Sequence, residues 1–225
     1  VYNIGSILSI LSVGVFNAVN PVFFDDMKNK RYADIGQDSM AIVDLHAFIV
    51  LAMVLLGPIV LPLIVAAEYA TFTYLVGGVE LACLMQVYCQ IWVRILAYEY
   101  KTPHIAFAAL IGGATNILLN YIFIPIIGFE VAILTTFIGY FVMSVIVIYL
   151  VNSLNFGFIK YFFKITGITI FLVCIYCISL YLKFDLSFQL VLALFSSVAV
   201  YWFYHAELIG VVRLLRNQKY LNESS

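Results

Sequence analysis

The sequence predicts an all-α fold, a polytopic transmembrane bundle of about seven spanning helices. Three observations predict it. The chain of 225 residues is 65% hydrophobic and 10% charged, against about 45–50% and about 25% in soluble domains. Its apolar residues lie in long runs, and about 20 such residues cross a bilayer as a helix. The runs do not alternate with period two, which argues against a spanning β-barrel.

The expected spans cover residues 3–24, 41–65, 71–97, 104–126, 130–151, 162–182 and 187–207, followed by a tail over 208–225. The first residue is Val1, and a helical pattern is under way by Ile4. No charged n-region or cleavage site marks a signal peptide, and the expectation is a fragment lacking its N-terminal portion. The connections are short, so consecutive helices should pack antiparallel in one bundle. The longest connection is the polar stretch DDMKNKRYADIGQDSM, residues 25–40.

The distribution of basic residues sets the orientation. With residues 25–40 in the cytoplasm, ten of the eleven Lys and Arg fall on that side, Lys183 excepted. This is the positive-inside pattern, and it places the C-terminus in the cytoplasm.

The first span carries Asn3, Asn17, Asn20 and Pro21. The second opens with Asp44 and His46 and later holds Pro58 and Pro62. Asp44 and His46 suit the interface, and they also suit coupling to a proton or ion. The prolines suit a kink that serves as a hinge or as a packing bend.

The third span has one polar face. At about 100° per residue, Glu80, Gln86, Gln90 and Arg94 fall within roughly a 120° arc. Such a face must meet protein or a water-filled cavity. Arg94 could line a passage and hold an anion such as a phosphate, because guanidinium stays charged and presents a fork of donors. It could equally snorkel into headgroups from the helix end. Glu80 suits a cavity or a paired role. Gln86 and Gln90 could instead bond neighbouring helices.

In the fourth span Asn116 and Asn120 share a face. Gly112 and Gly113, with Ala109 and Ala114, allow close helix approach. The asparagines either bond across that contact or face a lumen. Pro125 and Gly128 should end this helix, and Glu130 should start the fifth, where a carboxylate suits the N-terminus. The last two spans are plainer. Cys83, Cys89, Cys174 and Cys177 all lie in apolar runs and read as small buried hydrophobes.

The net charge of −1 suggests no nucleic-acid partner. No phosphate loop, H-E-x-x-H or nucleophile elbow occurs, so no catalytic residue, metal site or cofactor is expected.

The stretch GATNILLNYIFIPIIGFEVAILTTFIGYFV resembles the Wzx-type O-antigen and capsule repeat-unit flippases. These belong to the multidrug/oligosaccharidyl-lipid/polysaccharide exporter superfamily. Asn116, Asn120, Ile124, Pro125, Gly128, Ala132, Thr135, Thr136 and Tyr140 carry the resemblance. Asn17 and Pro21 in the first span, and Lys101 before the fourth, are also similar. Phe129 and Glu130 stand where the family has small residues. The resemblance covers about residues 1–150, with the last two spans alike in hydropathy only.

It implies the C-terminal bundle of a two-bundle transporter in a bacterial inner membrane. The implied activity is translocation of an undecaprenyl-diphosphate-linked oligosaccharide by alternating access. Implied partners are that lipid-linked sugar, membrane lipids, a polysaccharide polymerase and a chain-length regulator. A drug or cation antiporter of the same superfamily stands beside this reading, as does a membrane enzyme acting on lipid-linked sugars.

Overall fold

The computed structural model describes residues 7–70, 72–154 and 159–182. The expected seventh span and the tail lie outside the described residues. Within them every regular element is helical. The order is α1 (Ile7–Lys28), α2 (Tyr32–Val60), a 3-10 turn (Leu61–Leu63), α3 (Ala67–Ala70), α4 (Leu75–Tyr98), α5 (Thr102–Ile127), α6 (Val131–Asn152) and α7 (Ile159–Leu182).

Five described stretches are long and apolar enough to cross a membrane: Tyr32–Leu63, Leu75–Tyr98, Thr102–Ile127, Val131–Asn152 and Tyr161–Ile178. The chain therefore reads as a membrane protein. Helix α1, which carries Asn17, Asn20, Pro21, Asp25 and Asp26, is not among the five.

The polar stretch expected as a loop over 25–40 is instead the ends of two helices and a tight turn. Helix α1 continues to Lys28 and α2 begins at Tyr32. The turn closes because Arg31 gathers local partners. Its backbone N–H donates to the Asp26 carbonyl at 2.9 Å, and its Nε donates to Asp26 Oδ1 at 2.7 Å. Its Nη2 pairs with Asp25. Lys30 supplies the reversal with φ 57°. Asp34 sits in the first turn of α2, where a carboxylate faces the positive end of the helix dipole.

The prolines of the second span do not bend its middle. Pro58 lies in the last turn of α2, and Pro62 lies in the 3-10 turn that follows. Helix α2 has 29 residues, about 44 Å at the usual rise. That exceeds the roughly 30 Å of bilayer hydrocarbon, so part of it must project beyond or tilt.

Helix α4 is the centre of the bundle, and 72% of its apolar window is buried. It touches α1, α2, α5, α6 and α7. Helix α5 is the opposite case, with only 6% of its window buried. It packs mainly on α6. That seam is close because Gly112 meets Gly139. A Cβ on Gly112 would lie 2.8 Å from the Gly139 carbonyl oxygen. Small residues that let backbones approach are a common basis of helix packing in membranes.

Pro125 does not end α5 but lies inside it. Gly128 ends it, with φ 106°, and its N–H donates to the Ile124 carbonyl at 2.9 Å. That conformation suits glycine because an L side chain would be strained there. Glu130 then precedes α6, yet its side chain makes no cap hydrogen bond. Its Oε1 accepts from the Tyr74 hydroxyl at 2.7 Å instead. The α5–α6 turn is thus tied to the entrance of α4.

Candidate functional site, a cleft around Arg94

Arg94 projects from α4 toward α1, where aromatic rings receive it. Its guanidinium carbon lies 3.6 Å from the centre of the Phe16 ring and 5.9 Å from that of Phe23. Phe16, Phe23 and Arg94 come together because α1 crosses both α2 and α4 at this end. Guanidinium is less strongly hydrated than ammonium and stacks on ring faces, so this half-buried setting suits it. No carboxylate lies within 4.0 Å of Arg94 among the described residues.

Val19, Asp26, Ile35, Asp38, Ser39, Ile42 and Ile91 line a cleft with Phe23 and Arg94. Its volume is about 10 Å³, room for about one water. In this conformation the cleft is closed to any larger ligand. Asp26 is held on its other side by Arg31, at 2.6 Å. Burial pushes the Asp26 carboxyl above the usual carboxylate range, and Arg31 pulls it part of the way back. Arg31 offsets the Asp26 charge, whereas Asp38 also lines the cleft. An anion entering would meet Arg94 and Ser39 as donors and Asp38 as an opposing charge.

His46 belongs to the same region. It is fully buried, and its ring stacks against Phe16 with centroids 6.3 Å apart. Its Nδ1 lies 2.7 Å from the Ile42 carbonyl oxygen. That contact places the proton on Nδ1 and leaves Nε2 an acceptor. Nε2 is buried without a hydrogen-bond partner among the described residues. One ring, Phe16, therefore touches both Arg94 and His46.

Asp44 is buried and turns to a different neighbour. Its Oδ2 lies 3.2 Å from Lys164 Nζ on α7. The two coupling candidates of the second span thus have separate surroundings.

The other members of the polar face of α4 are not gathered with Arg94. Glu80 is 0% exposed, and neither carboxylate oxygen has a hydrogen-bond partner among the described residues. Gln86 is half-buried and Gln90 is exposed. The face expected as one stripe therefore runs from a sealed interior at Glu80, past open surface at Gln90, to the cleft at Arg94.

Asn116 and Asn120 bond across the α5–α6 seam. Asn116 Nδ2 donates to Thr136 Oγ1 at 3.1 Å. Asn120 Nδ2 donates to Asn116 Oδ1 at 2.6 Å, and Thr135 Oγ1 donates to Asn120 Oδ1 at 2.6 Å. Of the two readings open for them, the bonds match packing between helices.

Of the four cysteines read as buried, Cys89 is buried, Cys83 is half-buried, and Cys174 and Cys177 are exposed. Helix α7 has an outward face, which hydropathy alone does not distinguish from a core face. Among the described residues no group of His, Cys, Asp and Glu is arranged to hold a metal ion. No family model, curated protein or solved structure matches the chain.

Sequence reasoning missed Phe16, Phe23 and Lys164. The two phenylalanines stand seven residues apart on α1, the spacing of one helix face. That signal was present but did not name Arg94 as their partner. Lys164 was counted for orientation only.

Proposed function

We propose that the chain is the C-terminal bundle of a transporter that moves undecaprenyl-diphosphate-linked oligosaccharide across a bacterial inner membrane, with its C-terminus cytoplasmic. The observation that carries the reading is Arg94. A guanidinium half-buried in an apolar bundle, stacked on rings and without an ion-pair partner among the described residues, is suited to receive an anion. A diphosphate would supply that charge. The resemblance of residues 113–142 to the repeat-unit flippases supports the same cargo. The closed cleft must widen to admit it, as alternating access requires.

The test uses the intact protein in its own cell. Deleting its gene should leave repeat units facing the cytoplasm and remove surface glycan. Restoring it with Arg94→Ala should give little export, and Arg94→Lys should restore part of it. Normal glycan from the alanine variant, at normal expression, would overturn the role of Arg94.

A second reading rests on Glu80. A buried carboxylate without a hydrogen-bond partner among the described residues suits proton or cation exchange in a drug antiporter of the same superfamily. Unchanged glycan with raised drug sensitivity in the deletion strain would favour it. Sugar transfer by the purified intact protein would instead favour a membrane enzyme.

A further inference from the structure

One carboxylate near the α1–α2 turn is set apart from its neighbours. Arg31 pairs with Asp25 and Asp26 and reaches Asp34 at 3.9 Å. Asp38 has no ion-pair partner among the described residues. It lines the cleft with Arg94 instead. The helix period puts it there. Ile35, Asp38, Ser39 and Ile42 stand at i, i+3, i+4 and i+7 of α2, the spacing of one helix face, and all four line the cleft. Arg94 enters the same cleft from α4.

The cleft thus brings together a carboxylate and a guanidinium, neither with an ion-pair partner among the described residues. Asp26 lines it too, but Arg31 offsets that charge. The space they share is about 10 Å³, room for about one water. With so little solvent the two charges are poorly screened, and their attraction exceeds that in bulk water. It draws α2 toward α4 and favours the closed cleft. It also competes with any anion that comes to Arg94. A site on a transport path must bind strongly enough to load and weakly enough to let go. Arg94 alone, in a largely apolar setting, supplies the first property and not the second.

We propose that Asp38 is the release charge of the Arg94 site. It repels the bound anion, and it takes up the guanidinium again as the anion leaves, closing α2 onto α4. Resting on the reading of Arg94 as the anion site, this role adds the means by which that site empties.

The test measures binding and export separately, in the intact protein. Binding of inorganic pyrophosphate to the purified protein is followed by calorimetry, and export is read as surface glycan in cells. Asp38→Asn should bind pyrophosphate about tenfold more tightly yet export less glycan at normal expression. Asp38→Glu keeps the charge and should bind like the wild type. Adding Arg94→Met to Asp38→Asn should remove the gain in affinity. If Asp38→Asn does not fold, Asp38→Ser removes the same charge and takes its place. A merely structural role would lower export without tightening binding, and that outcome would overturn the proposal. So would unchanged affinity in Asp38→Asn while Arg94→Ala abolishes binding, which would leave Arg94 as the anion site and remove Asp38 alone. Pyrophosphate binding that survives Arg94→Ala, or no binding by either the wild type or Asp38→Asn, would overturn both roles together.

Discussion

The Arg94 guanidinium rests on the Phe16 ring, 3.6 Å above its centre. A contact of this kind contributes about 0.5–2 kcal/mol, more as water is withdrawn. Phe16→Leu keeps an apolar side chain and removes the ring face. We expect a stability loss of about 1 kcal/mol, measured by thermal melting of the intact protein in detergent. A double-mutant cycle with Arg94→Met isolates the pair. An interaction energy of zero would mean that the two groups merely touch.

The α5–α6 seam offers a contrast between neighbouring glycines. Gly112→Ala puts a methyl 2.8 Å from the Gly139 carbonyl oxygen and 2.9 Å from Met143 Cβ. The helices must separate, at about 1–3 kcal/mol. Gly113→Ala meets nothing within 4 Å and should be neutral, or stabilising by up to ~1 kcal/mol from helix propensity. Equal effects at the two positions would show that the seam is not set by close approach.

Asn120→Leu should weaken the same seam by another route. It removes the acceptor for Thr135 and the donor to Asn116. Hydrogen bonds between membrane helices average about 0.6 kcal/mol, so a loss of ~1 kcal/mol is expected for the two. Glycan export should persist at normal expression, because these groups bond each other. Loss of export with unchanged melting would instead place Asn120 on a transport path.

The Asp44–Lys164 pair should respond asymmetrically. Lys164→Met leaves a buried carboxylate without this cation and should cost about 2 kcal/mol. That is below the figure for a wholly buried pair, because the lysine side chain is 37% exposed. Adding Asp44→Leu should recover most of the loss. If the double variant melts no higher than Lys164→Met alone, the pairing does not account for the cost.

The all-helical class and the positions of α5 and α6 were legible because hydropathy reports length and apolarity directly. The helix over 102–127 was expected over 104–126 and the one over 131–152 over 130–151. The start of α2 was not legible. Polar residues read as a loop, yet Arg31, bonded to both Asp25 and Asp26, lets two helices turn within three residues. Gly128 was legible as a helix end because of its backbone freedom, whereas Pro125 was misread, since α5 carries it inside its last turn. The polar arc of α4 was legible as an angular pattern. Its division among three surroundings was not, because periodicity gives direction on one helix and nothing about which neighbour stands there. Asp44 was visible in sequence, but Lys164 lies 120 residues away, and only the packing of α7 on α2 joins them.

The paired asparagines also bear on how the chain enters a bilayer. Helix α5 alone would present Asn116 and Asn120 to hydrocarbon with few partners besides each other. Their further partners, Thr135 and Thr136, arrive only with α6, after the short turn at Gly128–Glu130. Insertion of α5 and α6 as one hairpin would pair these groups before lipid surrounds them. Truncating synthesis after residue 127 should leave α5 poorly inserted, and extending the nascent chain through residue 152 should rescue it. Glycosylation-site mapping of the two lengths would measure the difference. On this view the amides act during biogenesis, setting the moment at which two helices become a single unit.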